Sequence, residues 1–280
     1  MFQNLVLSGG GYNGIIYIGC IKYMIEKKML KFKNVIGSSI GSIFGLCVCL
    51  NVSTEKLIQY TKQATNKLTE DINIDIQSLL NIWYSFGAFD TNNIKVLIEQ
   101  ILTDNKLNKN ATFTDIAKHT GVNFIVTASN LTKHKVEYFG IDENNSVDIV
   151  TAIQCSCAVP IFFKPITVND NMYVDAGLLC NTPSEYWTKK MVLHKDTLVL
   201  KFKNSPTSSS DCNPDSLLAY INMLMSNVFA EINDKTSLAT IVEIPYANNV
   251  LKQLLLNEMD ENDIDNLIKI GYTTLTDFFT

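Results

Sequence analysis

The stretch Asn34–Gly45, NVIGSSIGSIFG, decides how this chain folds. Asn34 to Gly37 reads as a short strand, with branched Val35 and Ile36 suited to a buried, pleated surface. Ile40 to Leu50 is apolar nearly all round, which predicts a helix buried on every side. Between them Gly37-Ser38-Ser39-Ile40-Gly41 fits G-x-S-x-G with Ser39 at its centre, and neither Ser38 nor Ser42 has glycines two residues away on both sides. In a nucleophile elbow the backbone turns sharply from strand to helix and holds the central serine in a strained conformation. Small neighbours are needed where that turn closes. The hydroxyl then stands at the end of the sheet, near the positive end of the following helix. A Gly/Ser-rich helix packed closely on a neighbour is written in the same letters, so the motif alone leaves both readings open.

Upstream, Phe2 to Leu7 reads as a buried strand ended by Gly9-Gly10-Gly11. Ile15 to Lys28 follows as a helix, with apolar residues at 15, 16, 18, 21, 24 and 25. Strand, turn, helix, repeated, predicts an α/β fold: a three-layer α/β/α sandwich around a mainly parallel central sheet. Downstream, Asp75 to Asn110 is helix-rich and broken at Gly87. Strands are expected at Asn123–Ser129, Val136–Phe139, Met172–Val174, Leu198–Phe202 and Thr240–Ile244. Helices are expected at Ile149–Cys157, Asp215–Asn233 and Asn262–Phe279, and SPTSSSDCNP (205–214) is the clear loop. No internal repeat or composition break divides the chain, so residues 1–280 are expected to form a single domain.

At 280 residues, 46% hydrophobic and 18% charged, the chain can build a sizeable core. All 23 basic residues are lysine, so the bidentate fork used on phosphates and guanines is missing. A net charge of −5 with no basic run argues against nucleic acid as a partner and against tight electrostatic docking on anionic lipid. The seven cysteines are an odd number, and their C-x-C pairs at 47/49 and 155/157 have no histidine nearby. Buried free thiols in a reducing compartment are the expectation, with no metal and no cofactor. No basic segment precedes the N-terminal glycines, and the longest apolar run, Ile36–Leu50, has 15 residues where a span needs about 20. A cytoplasmic, soluble protein is expected.

Ser8-Gly9-Gly10-Gly11-Tyr12-Asn13-Gly14 follows the first strand and precedes a helix. Read as G-x-G-x-x-G it suits a dinucleotide loop, but the second strand ends in Gly-Ser-Ser where the ribose-binding acid belongs. The other use of such a loop is an oxyanion hole, with bare glycine N–H groups aimed at one oxygen. A serine elbow and an N–H-rich loop on adjacent strands favour acyl transfer. The hydroxyl still needs a base, and none of His119, His134 and His194 lies in a motif-like setting. Tyr173-Val174-Asp175-Ala176-Gly177 instead puts a lone carboxylate just past a short strand, where an Asp is most often a turn residue. To act as a base it must reach Ser39 and be shielded enough to hold a useful pKa.

SGGGYNG, GSSIG and DAG, in that order, resemble the motifs of the patatin-like phospholipases, lipid acyl hydrolases with a Ser–Asp dyad. The resemblance extends to GAFDTNNIKVLIEQIL (87–102), FTDIAKHTGVNFIVTASNLTKHKVEYF (113–139), CSCAVPIFFKPI (155–166), the Asn-Pro pair of DAGLLCNTP (175–183) and a Gly-Tyr in the terminal helix. It implies Ser39 as nucleophile and Asp175 as base, an oxyanion hole from the N–H groups of Gly9, Gly10 and Gly11, and no required histidine. Gly14, Gly37, Gly41 and Gly177 complete the three motifs. The implied reaction is phospholipase A-type hydrolysis of fatty-acyl esters through a Ser39 acyl-enzyme, with a lipid substrate and transient, peripheral contact with a membrane or micelle surface. Two departures stand out: Asn13 replaces the family's usual basic residue, and Ala176 a frequent glycine. The alternative from another class is a catalytically silent lipid- or partner-binding protein on the same fold. Acyl transfer to an alcohol other than water is the variant within the enzyme class.

Three further stretches carry expectations. Ile161-Phe162-Phe163 suits an acyl-chain wall or an interfacial lip, but core packing is the commoner role of such a cluster and the expected one. Asp71 to Phe89, with Trp83, Tyr84 and Phe86 around a glycine, is the place to look for a lid. The acidic run MDENDIDN (259–266) suits a solvated helix start.

Overall fold

The computed structural model describes residues 2–71, 76–144, 146–186, 194–203, 239–247 and 260–280. The expected loop 205–214 and helix 215–233 lie outside these residues. Among the described residues ten strands run β1 (Asn4–Leu7), β2 (Asn34–Ser38), β3 (Gly87–Phe89), β4 (Asn123–Asn130), β5 (Lys135–Phe139), β6 (Ile161–Phe163), β7 (Ile166–Val168), β8 (Asn171–Val174), β9 (Thr197–Phe202) and β10 (Thr240–Ile244). The described helices are α1 (Ile16–Glu26), α2 (Ile40–Cys49), α3 (Thr54–Asp71), α4 (Ile76–Ser85), α5 (Asn92–Asp104), α6 (Phe113–Thr120), α7 (Ile149–Cys157), α8 (Gly177–Cys180) and α9 (Glu261–Phe279).

Eight strands form one sheet in the order β10-β9-β1-β2-β4-β8-β7, with β5 also on β4. The five strands from β10 to β4 pair in parallel, and β5, β7 and β8 add antiparallel pairs at one side. The architecture is the expected three-layer α/β/α sandwich around a mostly parallel sheet. Alternation along β1 sends Leu5 and Leu7 to one face, where they join the large core built with the helices, and Val6 to the other, where it meets Ile36, Ile125, Val199 and Tyr186. A strand buried on both faces reads as a continuous apolar run, which is why NLVL was legible.

Three differences from the sequence reading concern local structure. The first helix opens with a 3-10 turn over Gly11–Ile15, because three glycines precede it and no side chain caps it. Helices α3, α6 and α8 and strands β3 and β7 were not anticipated; α6 is marked by a capping box in which Thr112 accepts from the Asp115 N–H and Asp115 accepts from the Thr112 N–H. Ile161–Phe163 is a strand, paired in parallel with β3 as a separate two-stranded sheet. At the terminal helix the acidic run does cap the first turn, with Asp260 accepting from the Asp263 N–H at 2.9 Å.

The terminal helix α9 crosses α1 at two glycines. A Cβ on Gly19 would lie 1.8 Å from the Ile268 carbonyl oxygen, and one on Gly271 would lie 2.0 Å from that of Ile16. Backbones approach this closely only where side chains are absent. Beside the crossing, the Tyr272 hydroxyl donates to Glu26 at 2.6 Å. Gly19→Val therefore forces the two helices apart. It should lower stability by about 1–3 kcal/mol or more, as overpacking does. Equilibrium urea unfolding measures it, and an unchanged midpoint would show that the crossing tolerates a side chain.

Candidate active site

Strand β4 brings the candidate residues together. Its β2 pairing ends at Ser38 opposite Thr127, and its β8 pairing ends at Val174 opposite Ser129. β5 overlaps β2 along β4 at Val126 and Thr127 and overlaps β8 at Ser129 and Asn130, so β2 and β8 must share the same edge of β4. β2 runs parallel to β4 and β8 antiparallel, so their C-terminal ends meet head-on. Their last partners on β4, Thr127 and Ser129, are two positions apart with Ala128 between, about 7 Å of strand. The residues that follow β2 and β8 are Ser39 and Asp175.

Ser39 takes φ 51°, ψ −128°, a left-handed conformation strained for a residue with a side chain. The flanking glycines let the turn close. A Cβ on Gly37 would lie 2.4 Å from the Gly41 carbonyl oxygen, and one on Gly41 would lie 2.4 Å from that of Leu7. Gly14 lies against Ile40, where a Cβ would come within 2.2 Å of its side chain, so the glycine turn seats on the start of α2. The strain is held by Ser156, whose hydroxyl accepts the Ser39 N–H at 2.8 Å, and by Ser42, whose hydroxyl donates to the Ser39 carbonyl at 2.6 Å. The Ser38 hydroxyl donates to the Cys180 carbonyl, so of the three serines only Ser39 faces a carboxylate.

Asp175 is buried and its backbone N–H donates to Ala158 at 2.8 Å. Ser39 Oγ donates to Oδ2 at 2.6 Å and the Gly177 N–H donates to Oδ1 at 2.8 Å. Burial disfavours the charged form and pushes the carboxyl up to about 6, against the pull of those two hydrogen bonds. His119 and His134 are exposed. Among the described residues no group of three His, Cys, Asp or Glu side chains is placed to hold a metal ion. Of the cysteines, Cys20, Cys47, Cys49, Cys155 and Cys157 are buried free thiols, and Cys180 is partly buried.

The glycine loop differs in one respect from the expectation. The Gly9 N–H donates to the Asn181 carbonyl at 3.0 Å, and Asn181 Nδ2 donates back to the Gly9 carbonyl at 3.3 Å. Gly9 is thus committed to holding the loop; its missing side chain leaves room for Asn181 and for Ser39. The N–H groups of Gly10 and Gly11 donate to no acceptor among the described residues. Gly11 takes φ 53°, and no atom lies within 4 Å of where its Cβ would stand. Asn13 is buried, and its Oδ1 accepts the Ala247 N–H at 2.9 Å, tying the loop to the chain after β10. A neutral amide here holds backbone, which a cation at this position would not do.

A cavity of about 620 Å³ opens from Ser39 and Gly11. Its walls include Ile43 and Phe44 of α2, Leu57 of α3, Leu97 of α5, and Phe162 and Phe163 of β6, with Gln63, Gln100 and Lys164 among the polar groups. Phe162 and Phe163 are half-buried and face this cavity, so the core-packing expectation for them is replaced by a wall role. Sequence reasoning missed Ser156 and Asn181, which touch the site only through tertiary contacts. Gln154-Cys155-Ser156-Cys157 reads as ordinary apolar helix, and Asn181 was visible only as half of an Asn-Pro pair.

The Patatin-like phospholipase family model matches residues 5–186, a span holding the glycine loop, the elbow and the Asp175 turn. A protein of Invertebrate iridescent virus 6 named "Probable lipid hydrolase 463L" is 27% identical over 236 residues, 83% of this chain and 80% of that protein. The uncharacterized protein R571 of Acanthamoeba polyphaga mimivirus is 28% identical over 65% of this chain and 60% of its own length. Among solved structures, VipD from Legionella pneumophila superposes with a TM-score of 0.55 at 16% identity, over 98% of this chain and 66% of VipD. That likeness is one of fold. Elbow, acid turn and glycine loop all fall inside the span matched by the family model, and the chain belongs to the patatin-like phospholipase family.

Proposed function

We propose that this protein is a lipid acyl hydrolase of phospholipase A type, acting on fatty-acyl esters through a Ser39 acyl-enzyme with Asp175 as base. The observation that carries the reading is the 2.6 Å hydrogen bond from Ser39 Oγ to a buried carboxylate at one end of a largely apolar cavity. Family membership supports it, as does the name of the iridovirus relative. Asp175 takes the hydroxyl proton as Oγ attacks the ester carbonyl, and the developing oxyanion is held by the N–H groups of Gly10 and Gly11. As the tetrahedral intermediate collapses, the protonated Asp175 returns its proton to the leaving alcohol. Water then attacks the acyl-enzyme with Asp175 again as base, freeing the fatty acid and regenerating Ser39. No cofactor enters this scheme. The one sheet drawing strands from Asn4 to Ile244 supports a single domain over residues 1–280. We place the protein in the cytoplasm, in peripheral contact with membranes; among the described residues no helix is long and apolar enough to cross one.

Fluorophosphonate labelling and fatty-acid release from mixed phospholipid micelles test the dyad. Both should vanish in Ser39→Ala, with turnover down by about 10⁴-fold or more, and release should also be lost in Asp175→Asn. A folded wild-type protein that neither labels nor hydrolyses would transfer the reading to the silent binding protein.

The raised carboxyl makes a paired pH prediction. The base works only when ionised, so kcat/KM should fall about tenfold for each pH unit below about 6. Folding favours the protonated carboxyl, so this group's stabilising contribution is complete below about 4 and is lost as pH rises through about 6. Asp175→Asn should therefore melt at a higher temperature than wild type at pH 7.5 and show no advantage near pH 4. An opposite order in calorimetry would mean that hydrogen bonding outweighs burial at this carboxyl.

Ser156→Ala leaves the Ser39 N–H buried without its acceptor. The change should destabilise the protein by about 1–3 kcal/mol and lower kcat as the elbow relaxes. Urea unfolding and ester turnover measured on the same preparation check this, and wild-type values of both would remove Ser156 from the site.

A further inference from the structure

Helix α4 is amphipathic in the wrong sense for a helix of a water-soluble protein. Leu80, Trp83 and Tyr84, at i, i+3 and i+4, share one face and are 43%, 79% and 74% exposed. Two polar residues turn inward: Ser78 is buried, and Asn81 lines the cavity and donates to the Ala88 carbonyl at 3.1 Å, while Gln77 is exposed. The apolar face continues past the helix. Phe86 is 62% exposed, and Ile161, opposite Gly87 in the β3–β6 pairing, is 38% exposed. Both are bulky residues held at left-handed φ, 63° and 70°. Strain of this kind persists only where the surroundings impose it, and here it coincides with two apolar side chains presented to water.

The same segments form the cavity. Ala88 and Phe89 of β3 and Phe163 of β6 line its wall, while Phe86, just before β3, and Ile161, at the start of β6, are exposed. Apolar residues of the same segments thus stand both in the wall of the cavity that Ser39 lines and on the exposed face. We infer that the face formed by Leu80, Trp83, Tyr84, Phe86 and Ile161 docks the protein on a neutral phospholipid surface, with the cavity mouth at the level of the acyl chains. This inference rests on the lipid-hydrolase reading for its purpose, though not for its geometry.

Three observations select that occupant. Ile76–Phe89 contains no charged residue, and the chain carries −5 with no arginine, so attraction to anionic lipid is not what holds this face. Trp and Tyr, apolar rings with a polar edge, are the side chains that settle at the boundary of headgroups and chains. A standard protein interface takes about 20–30 residues a side, far more than this handful, so a second copy of the chain is the poorer match. A lipid acyl chain can pass from such a seated mouth to Ser39 without crossing water, which is the barrier an interfacial enzyme has to remove.

The experiment uses full-length protein carrying Ser39→Ala, so that vesicles are not digested, and phosphatidylcholine vesicles as the probe. Co-sedimentation is measured at about 0.1 M and about 1 M salt, which separates screened from unscreened attraction. Binding should persist at both, and Trp83→Gln with Phe86→Gln should weaken it by about tenfold or more. In the Ser39 background the same pair should leave turnover of a soluble short-chain ester at the wild-type rate, which also reports correct folding. Unchanged binding in the variant overturns the inference. So does binding that requires anionic lipid and vanishes in salt, or a wild-type dimer that the substitutions dissolve. Vesicle binding without any ester turnover would leave this surface standing and remove the hydrolase reading, and soluble-ester turnover without vesicle binding would do the reverse.

Discussion

The site depends on a single steric fact: two strands run toward each other along one edge of β4 and stop two residues apart. Ser39 and Asp175 are 136 residues apart in sequence, so local turns shape each of them but cannot bring them together. What sets their 2.6 Å separation is the shared hydrogen-bond register of β4, a ruler that tolerates no slip because moving one residue turns every side chain to the opposite face. The parallel part of the sheet delivers the serine. Its antiparallel extension delivers the acid.

Around that meeting point the structure holds two unfavourable states in place. Ser39 is at a strained φ, and Asp175 is a carboxylate without water. Ser156 is shared between them: its hydroxyl takes the Ser39 N–H, and its carbonyl takes the Ala176 N–H at 3.1 Å, one residue from the acid. A helix end that grips both loops can keep a geometry that neither loop would adopt alone. The same burial shifts the carboxyl upward, which suits the proposed role of Asp175, because a base near neutrality takes a proton more readily than one at the ordinary aspartate value.

The same pattern of imposed strain recurs at the rim, where Phe86 and Ile161 are turned outward beside walls that turn Phe89 and Phe163 inward. In and beside this two-stranded sheet, Phe89, Phe162 and Phe163 line the cavity while Ile161, and Phe86 just before β3, are exposed. The apolar run that reads as core in one dimension therefore serves two surfaces at once. A sequence pattern cannot distinguish the two, since burial against protein and burial against lipid select the same residues.

The main sheet's strands apart from β7, the elbow and the acid turn were legible because each depends on local chemistry. Buried parallel strands must be apolar throughout, a sharp strand-to-helix turn needs Gly37 and Gly41, and a residue after a strand end leaves its own signature. By itself the sequence thus determined the α/β class, singled out Ser39 among three serines, and marked Asp175 as the carboxylate to test against it. Only the tertiary structure decided that Gly9 is a strut while the Gly10 and Gly11 N–H groups have no acceptor among the described residues, that Asn13 ties backbone in place of a cation, and that Phe162 lines a cavity. Each of those outcomes turns on a partner far away in the chain, such as Asn181, Ala247 or Leu97, and hydrogen bonds and close packing between distant residues leave no trace in local spacing.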